Sequence, residues 1–230
     1  MFDGLGLVRL DRASNVVWAY DGYAHHDLFV GEDGLVYVLT REFVRVDWIN
    51  PRADVADDFI VTLDGETGEE LDKLSVLEAF AESEYKHFIK RLPPQGELFH
   101  TNTIEVLDGT LAERAPAFGA GDFLISLWVQ DVVAVVDAET GNATWALTGM
   151  WTRQHQPTML ANGNMLVFDN LDEEAVSQVV ELDPLTQKIA WNYRADPPTD
   201  FFTATCGSCQ RLANGNTLIT ESDNGRAFEA

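Results

Sequence analysis

Leu160-Ala161-Asn162-Gly163-Asn164-Met165-Leu166 returns 52 residues later as Leu212-Ala213-Asn214-Gly215-Asn216-Thr217-Leu218. An Asx-Gly pair between two apolar runs is the strongest short-range signal for a β-hairpin, because glycine accepts the positive φ that tight hairpin turns need. Looser copies stand at Asp33-Gly34 and Asp108-Gly109. A companion pattern follows each turn: an apolar strand ending in Asp, a short polar turn, then a second strand that usually holds Trp. It reads Leu10-Asp11 to Trp18, Leu63-Asp64 to Leu71, Val136-Asp137 to Trp145 and Leu182-Asp183 to Trp191, with offsets of 7, 7, 8 and 8. Asp starts such turns by accepting from nearby backbone N–H groups, and Gly68 and Gly141 suit the positive-φ position that closes them. Two hairpins per repeat make four strands, which is a propeller blade. The reading is an all-β propeller of four-stranded blades, with Trp18, Trp145 and Trp191 packed between sheets.

The turn aspartates are spaced by 53, 73 and 46 residues. The long interval contains Ser75-Val76-Leu77-Glu78, a capping box, then Leu77, Phe80, Ala81 and Phe88 at helical spacing until Pro93-Pro94. This predicts one helix over about 75–91, inserted between blades and covering a blade edge or part of one mouth. Three full repeats and two partial ones are visible, so residues 1–230 are expected to form a single propeller domain, incomplete at both ends.

The 230 residues are 46% hydrophobic, enough for a sizeable core. Asp and Glu number 38 against 15 Lys and Arg, a net charge of −23. That balance argues against nucleic-acid and anionic-membrane partners. It suits solubility at high salt, or simply an acidic surface. No run approaches a membrane span and no signal-peptide pattern is present, so membrane insertion is not expected. Cys206 and Cys209 form a lone CxxC, read as small buried residues or a simple disulfide.

Counting back from the Asx-Gly turns finds a histidine near one place in three units. His26 and His155 lie 7 residues before Asp33 and Asn162, and His100 lies 8 before Asp108. Equivalent positions in successive blades are related by rotation about the axis, so these imidazoles should converge on one mouth of the channel. His100 and His155 are expected to lie nearest each other. Imidazoles gathered there can do acid–base, nucleophilic or metal chemistry. Arg153, two residues before His155, should point to the same side of an extended segment and offer a fork for an oxyanion. His25 is expected beside the site but facing the other way, and His87 on the helix surface. In the fourth unit the same offsets fall on Cys206 and Gly207.

Several stretches together resemble the arylsulfotransferase family. They are His25-His26-Asp27 leading to Val38-Leu39-Thr40-Arg41-Glu42, then Phe99-His100-Thr101-Asn102-Thr103-Ile104. Arg153-Gln154-His155-Gln156-Pro157 follows, leading to Asn162-Gly163-Asn164 and Phe168-Asp169-Asn170, and last comes Gln210-Arg211-Leu212-Ala213-Asn214-Gly215-Asn216-Thr217-Leu218-Ile219. The resemblance implies a six-bladed propeller exported to the periplasm or outside the cell. It implies transfer of sulfate from a phenolic sulfate ester to a phenol without a cofactor, a histidine carrying the sulfuryl group. His100 and His155 match catalytic histidines, and His26, Asn102, Arg153 and Gln210 become candidates for holding the ligand. The family's covalent histidine belongs to a later blade, where this chain has Cys206 to Gln210. The Arg expected after Asn170 is replaced near Ser177-Gln178. Either His100 or His155 takes the nucleophile's part, or this branch does not transfer sulfate, or the histidine lies outside this sequence. The alternatives are a non-catalytic ligand- or protein-binding propeller, and a metal enzyme ligated by His26, His100 and His155.

Overall fold

The computed structural model describes residues 6–171 and 175–230, which form five sheets. β1 (Leu7–Leu10) and β2 (Val16–Tyr20) make a two-stranded sheet. The second blade is β3 (Ala24–Val30), β4 (Leu35–Val44), β5 (Val55–Asp64) and β6 (Glu70–Ser75), with β7 (Gly96–Glu97) added in parallel to β5. The third is β8 (Thr101–Asp108), β9 (Ala120–Leu127), β10 (Val132–Val136) and β11 (Ala143–Thr148). The fourth is β12 (His155–Met159), β13 (Met165–Asp169), β14 (Gln178–Leu182) and β15 (Ile189–Tyr193). The last sheet has β16 (Ser208–Arg211), β17 (Thr217–Glu221) and β18 (Arg226–Glu229). Within each four-stranded blade, successive strands pair antiparallel in chain order.

The middle strands are apolar on both faces because each blade lies between two others. Val133 and Val135 join one core with Leu124, Met165 and Val167, while Val132, Ala134 and Val136 join another with Leu39, Ile60 and Ile125. β13 alternates in the same way, Met165 and Val167 facing the third blade and Leu166 and Phe168 packing with Cys209 and Ile219 of the last sheet. At roughly 1.5–3 kcal/mol for each fully buried aliphatic or aromatic side chain, these inter-blade cores dominate the stabilising side of folding. The outermost strands β6 and β15 are largely exposed.

Asp64, Asp137 and Asp183 sit at the turns between the third and fourth strands of their blades, as expected, and Asp11 at the turn between the two strands of the first sheet. Asp64 Oδ1 accepts from Glu66 N and Thr67 N, and Asp137 Oδ1 from Thr140 N at 2.7 Å. Asp183 Oδ1 accepts from Leu185 N and Asp11 Oδ1 from Ala13 N. The closing residue takes positive φ each time: Gly68 (75°), Gly141 (73°), Gln187 (59°) and Ser14 (64°). A β-bulge follows each turn, which settles the tryptophan position. Trp18, Trp145 and Trp191 pair with Arg9, Val135 and Glu181 and pack against neighbouring sheets. Their counterpart in the second blade is Asp72, paired with Thr62; Leu71 falls at the bulge and is exposed. The expected equivalence of Leu71 with the tryptophans is therefore off by one residue.

The Asx-Gly turns at Gly34, Gly163 and Gly215 join first and second strands with φ of 85°, 82° and 91°. Asp108-Gly109 differs: it opens a longer loop that runs to β9 at Ala120. The inserted segment is also not one helix. Ser75 caps α1 (Val76–Ala81), its hydroxyl accepting from Glu78 N at 3.0 Å. The α-helix then stops, and a separate 3-10 turn spans Lys86–Arg91. Ser83 makes the break: its hydroxyl donates back to Phe80 O and accepts from Tyr85 N, replacing the helical ladder with local bonds. Val76, Phe80 and Phe88 are buried in the core between the second and third blades.

Candidate functional site

The first strands β3, β8, β12 and β16 run side by side from blade to blade and are stitched by side chains. Asp27 Oδ2 accepts from Ile104 N at 3.1 Å, Glu105 Oε2 from Met159 N at 2.9 Å, and Gln156 Oε1 from Cys209 N at 3.0 Å. This holds the beginnings of the strands at one level. His26 and His100 adopt positive φ of 56° and 53°, a left-handed kink that turns each side chain out of the strand's alternation.

The kinks bring their rings together, with centroids 4.5 Å apart and planes at 69°. The ring contact thus joins His26 to His100, not His100 to His155 as the offsets suggested, because the kinks reorient both side chains. His25 does not face away either: its Nδ1 lies 2.8 Å from His26 Nδ1, with ring centroids 5.0 Å apart. On the other side, the His100 ring lies 5.2 Å from that of Trp128, and the Arg153 guanidinium sits 4.8 Å from the same Trp128 ring. Arg153 therefore reaches the cluster by stacking on Trp128, although its own φ of 55° breaks the extended run assumed from sequence. His87 is exposed, as expected.

His155 has a different environment. Its Nδ1 is 2.8 Å from Asn170 Oδ1. Asn170 is fully buried, and its amide NH2 donates to Thr203 O at 2.8 Å and Cys206 O at 3.0 Å. Those two carbonyls fix the amide so that Oδ1 is the acceptor. The proton must then be on His155 Nδ1, which leaves Nε2 with the lone pair. Burial lowers the His155 pKa and nearby charge on His100 adds to this, while hydrogen bonds to Asn170 and to the Arg153 backbone oppose it. His155 is thus set up as a neutral imidazole with a basic Nε2.

His100 instead donates or shares a proton with a carboxylate, Glu97. Beside it is an ionic group to which the sequence reading assigned no role. Arg41 pairs with Glu97 and, through Nε at 2.9 Å, with Asp58. Asp58 is fully buried, with His25 Nε2 at 3.4 Å and Thr101 N donating to Oδ2 at 2.6 Å. Burial pushes the Asp58 pKa up, but the hydrogen bonds and charges of His25 and Arg41 prevail and hold it at about 2. A forward count would have found part of this set, since Arg41 and Asn170 both lie 7 residues after their turn glycines. Trp128 has no such signal, because the long loop after Gly109 displaces the count.

Two further candidates are placed differently. Asn102 is buried at a bulge in β8, and its Nδ2 donates to Gln154 O at 2.9 Å. Gln210 is exposed on β16 and lines an open cleft of about 810 Å³ between β12 and β16, with Gln156, Thr158 and Ser208. The described residues contain no group of three or more His, Cys, Asp or Glu arranged to hold a metal ion. No described helix is long and apolar enough to cross a membrane.

The family model for arylsulfotransferase (ASST) matches residues 4–230. The chain belongs to the arylsulfotransferase family. No curated protein matches it. Among solved structures, a protein of unknown function from Bacteroides caccae is similar with a TM-score of 0.58 and 16% identity, over 95% of this chain and 64% of that one. The Dos1 propeller gives 0.51 and 13% identity, over 96% of this chain and 52% of that one. At these identities the likeness concerns the propeller fold alone, and this chain spans less than two thirds of either.

As an arylsulfotransferase-family chain, it has Cys206 and Gly207 in the last sheet where the turn offsets of the other units fall on histidine. Gly207 has φ of 95°, and a Cβ built on it would lie 2.5 Å from the Phe168 ring. No histidine fits there without moving Phe168. Cys206 beside it shares the left-handed φ of His26 and His100, at 56°. Both cysteines are free: of the two readings, the disulfide is not formed, and the buried-residue reading holds for Cys209, whose thiol pKa burial pushes well up, but not for Cys206, which is exposed.

Proposed function

We propose that this propeller binds an aryl sulfate at the mouth lined by His26, His100, Trp128, Arg153 and His155, and passes the sulfuryl group to a phenol. The observation that supports this best is the fixed tautomer of His155, whose Nδ1 proton is committed to Asn170 and whose Nε2 is left basic. In the first step, the Nε2 lone pair forms a bond to sulfur as the sulfur–oxygen bond to the aryl group breaks. The departing phenolate takes a proton from His100, whose ring is held by Glu97. In the second step, His100 removes the acceptor phenol's proton, the phenol oxygen bonds to sulfur, and the nitrogen–sulfur bond breaks. Arg153 offers two parallel donors to the sulfate oxygens, and His26 and Gln210 complete the ligand's surroundings. The donor and acceptor are small phenolic molecules, and the reading carries with it a location in the periplasm or outside the cell. The chain acts in this reading as one propeller domain completed by further blades.

The test is release of nitrophenolate from 4-nitrophenyl sulfate in the presence of phenol. His100→Ala and His155→Ala should each abolish turnover, His87→Ala should leave it unchanged, and intact-mass measurement should trap wild-type protein one sulfuryl group heavier. Full activity in both histidine variants would refute this site. The presence of Cys206 and Gly207 where a histidine is expected favours a second reading, a propeller that binds such ligands without reacting. Under it, the same two substitutions weaken 4-nitrophenyl sulfate binding and no heavier species forms.

A further inference from the structure

Three buried ionisable groups, His25, Arg41 and Asp58, are joined to the half-exposed Glu97 beside the histidines. We propose that Asp58 is a positioning residue that sets the ring orientation and proton placement of two histidines on adjacent blades, His26 and His100. Two arms lead from its buried carboxylate. One runs from Oδ1 to His25 Nε2 at 3.4 Å, and from His25 Nδ1 to His26 Nδ1 at 2.8 Å. The other runs from Oδ1 to Arg41 Nε at 2.9 Å, then from Arg41 to Glu97 and from Glu97 to His100 Nδ1. Oδ2 meanwhile accepts from Thr101 N, which fixes the backbone just after His100. The arms meet again where the His26 and His100 rings touch, 4.5 Å apart.

The backbone explains why one residue can do this. Asp58 and Arg41 are cross-strand partners on β5 and β4, and β7 pairs in parallel with β5 so that Glu97 stands opposite Ala56, two residues from Asp58. His25 Nε2 is buried without a hydrogen-bond partner among the described residues, and the negative Asp58 carboxylate 3.4 Å away favours a proton on that nitrogen electrostatically. In the neutral ring, His25 Nδ1 is then an acceptor and His26 Nδ1 must donate, leaving His26 Nε2 basic. On the other arm, Arg41 holds Glu97 with one of its nitrogens, so that the other carboxylate oxygen faces His100. An orienting carboxylate acting through imidazole in this manner affects rate by tautomer, without touching substrate.

The inference rests on the proposed site but is read independently of turnover. Nitrogen-15 NMR of the histidine rings in the intact chain reports which nitrogen bears the proton. Asp58→Asn keeps the shape but presents an amide with one acceptor to three donors. It should change the ring-nitrogen pattern of both His26 and His100, and lower 4-nitrophenyl sulfate turnover by roughly 100-fold or more with KM little changed. Glu97→Gln should change His100 and leave the His26 pattern intact. A folded Asp58→Asn variant with both patterns unchanged would overturn the proposal, which a purely structural role for Asp58 predicts. If that variant does not fold, Arg41→Lys decides: it keeps a charge beside Asp58 but removes the fork that spans to Glu97, so His100 must shift. An unchanged His100 there is equally fatal. Ring patterns that move as stated in a protein that transfers no sulfate would refute the catalytic reading and uphold the role of Asp58.

Discussion

Gly207 shows how much one missing side chain can decide. Its φ of 95° and the 2.5 Å approach that a Cβ would make to Phe168 leave glycine as the residue that fits. Phe168 cannot easily yield, since it is fully buried and packed edge-on to Phe201 with centroids 5.6 Å apart. Gly207→Ala should therefore destabilise the protein by about 1–3 kcal/mol, measured by denaturant or thermal unfolding, while an exposed control such as His87→Ala should change little. At this scale the sequence was only partly legible. Counting from turns picked out His26 and His100, whose rings touch, because rotation about an axis maps near-equal offsets onto near-equal heights. Their orientations were not found, because the positive φ of His26, His100 and Arg153 is a tertiary choice that non-glycine residues rarely make. Asp58 was missed because it reaches the histidines across strands, through Arg41 and His25, whereas Glu97 stands only three residues before His100 and went unread because its role depends on Arg41 of another strand.

At the level of elements, α1 is rooted on an uncommon cap. Ser75 Oγ donates to Asp57 Oδ2 at 2.6 Å, and Asp57 Oδ1 accepts from Leu77 N at 3.2 Å. Burial raises the Asp57 pKa to about 7, with neighbouring Asp58 adding to it and the bonds from Ser75 and Leu77 opposing it. The sign follows directly. A carboxyl that titrates near 7 when folded and near its ordinary value of 3.8 when unfolded favours the folded state most fully below pH 3.8. That contribution is lost as pH rises to 7, and at pH 8 an ionised Asp57 stays buried. Asp57→Asn should flatten the fall in thermal midpoint between pH 4 and pH 7, by an amount on the order of a few kcal/mol at the upper end. A slope identical to wild type would show that Asp57 does not titrate in that range. The elements themselves were largely legible, since Asp turns and Asx-Gly turns encode geometry locally. Leu71 was misassigned because a bulge inserts one residue that only the pairing register reveals. The single helix expected over 75–91 failed because helical spacing says nothing of the local bonds made by Ser83.

Over the whole molecule, a net charge of −23 means that folding brings like charges together. Raising NaCl from 0.1 to 1 M shortens the screening length from about 10 Å to about 3 Å. The thermal midpoint at pH 7.5 should therefore rise with salt, and a fall would show that ion pairs such as Arg41 with Asp58 outweigh the general repulsion. The blade repeat was readable because every middle strand must be apolar on both faces, a pattern that a sheet with one wet face does not show. Blade sheets meet face to face without a shared hydrogen-bond ladder, so nothing in the apolar cores forbids one blade from climbing along the axis past the next. The cross-links from Asp27 to Ile104, from Glu105 to Met159 and from Gln156 to Cys209 supply that missing stop. They keep a stack of wedges from becoming a screw. Glu105, by holding Met159 N, ties the blade that follows His100 to the blade that begins at His155, so the pitch of the assembly enters into how those two imidazoles stand to each other.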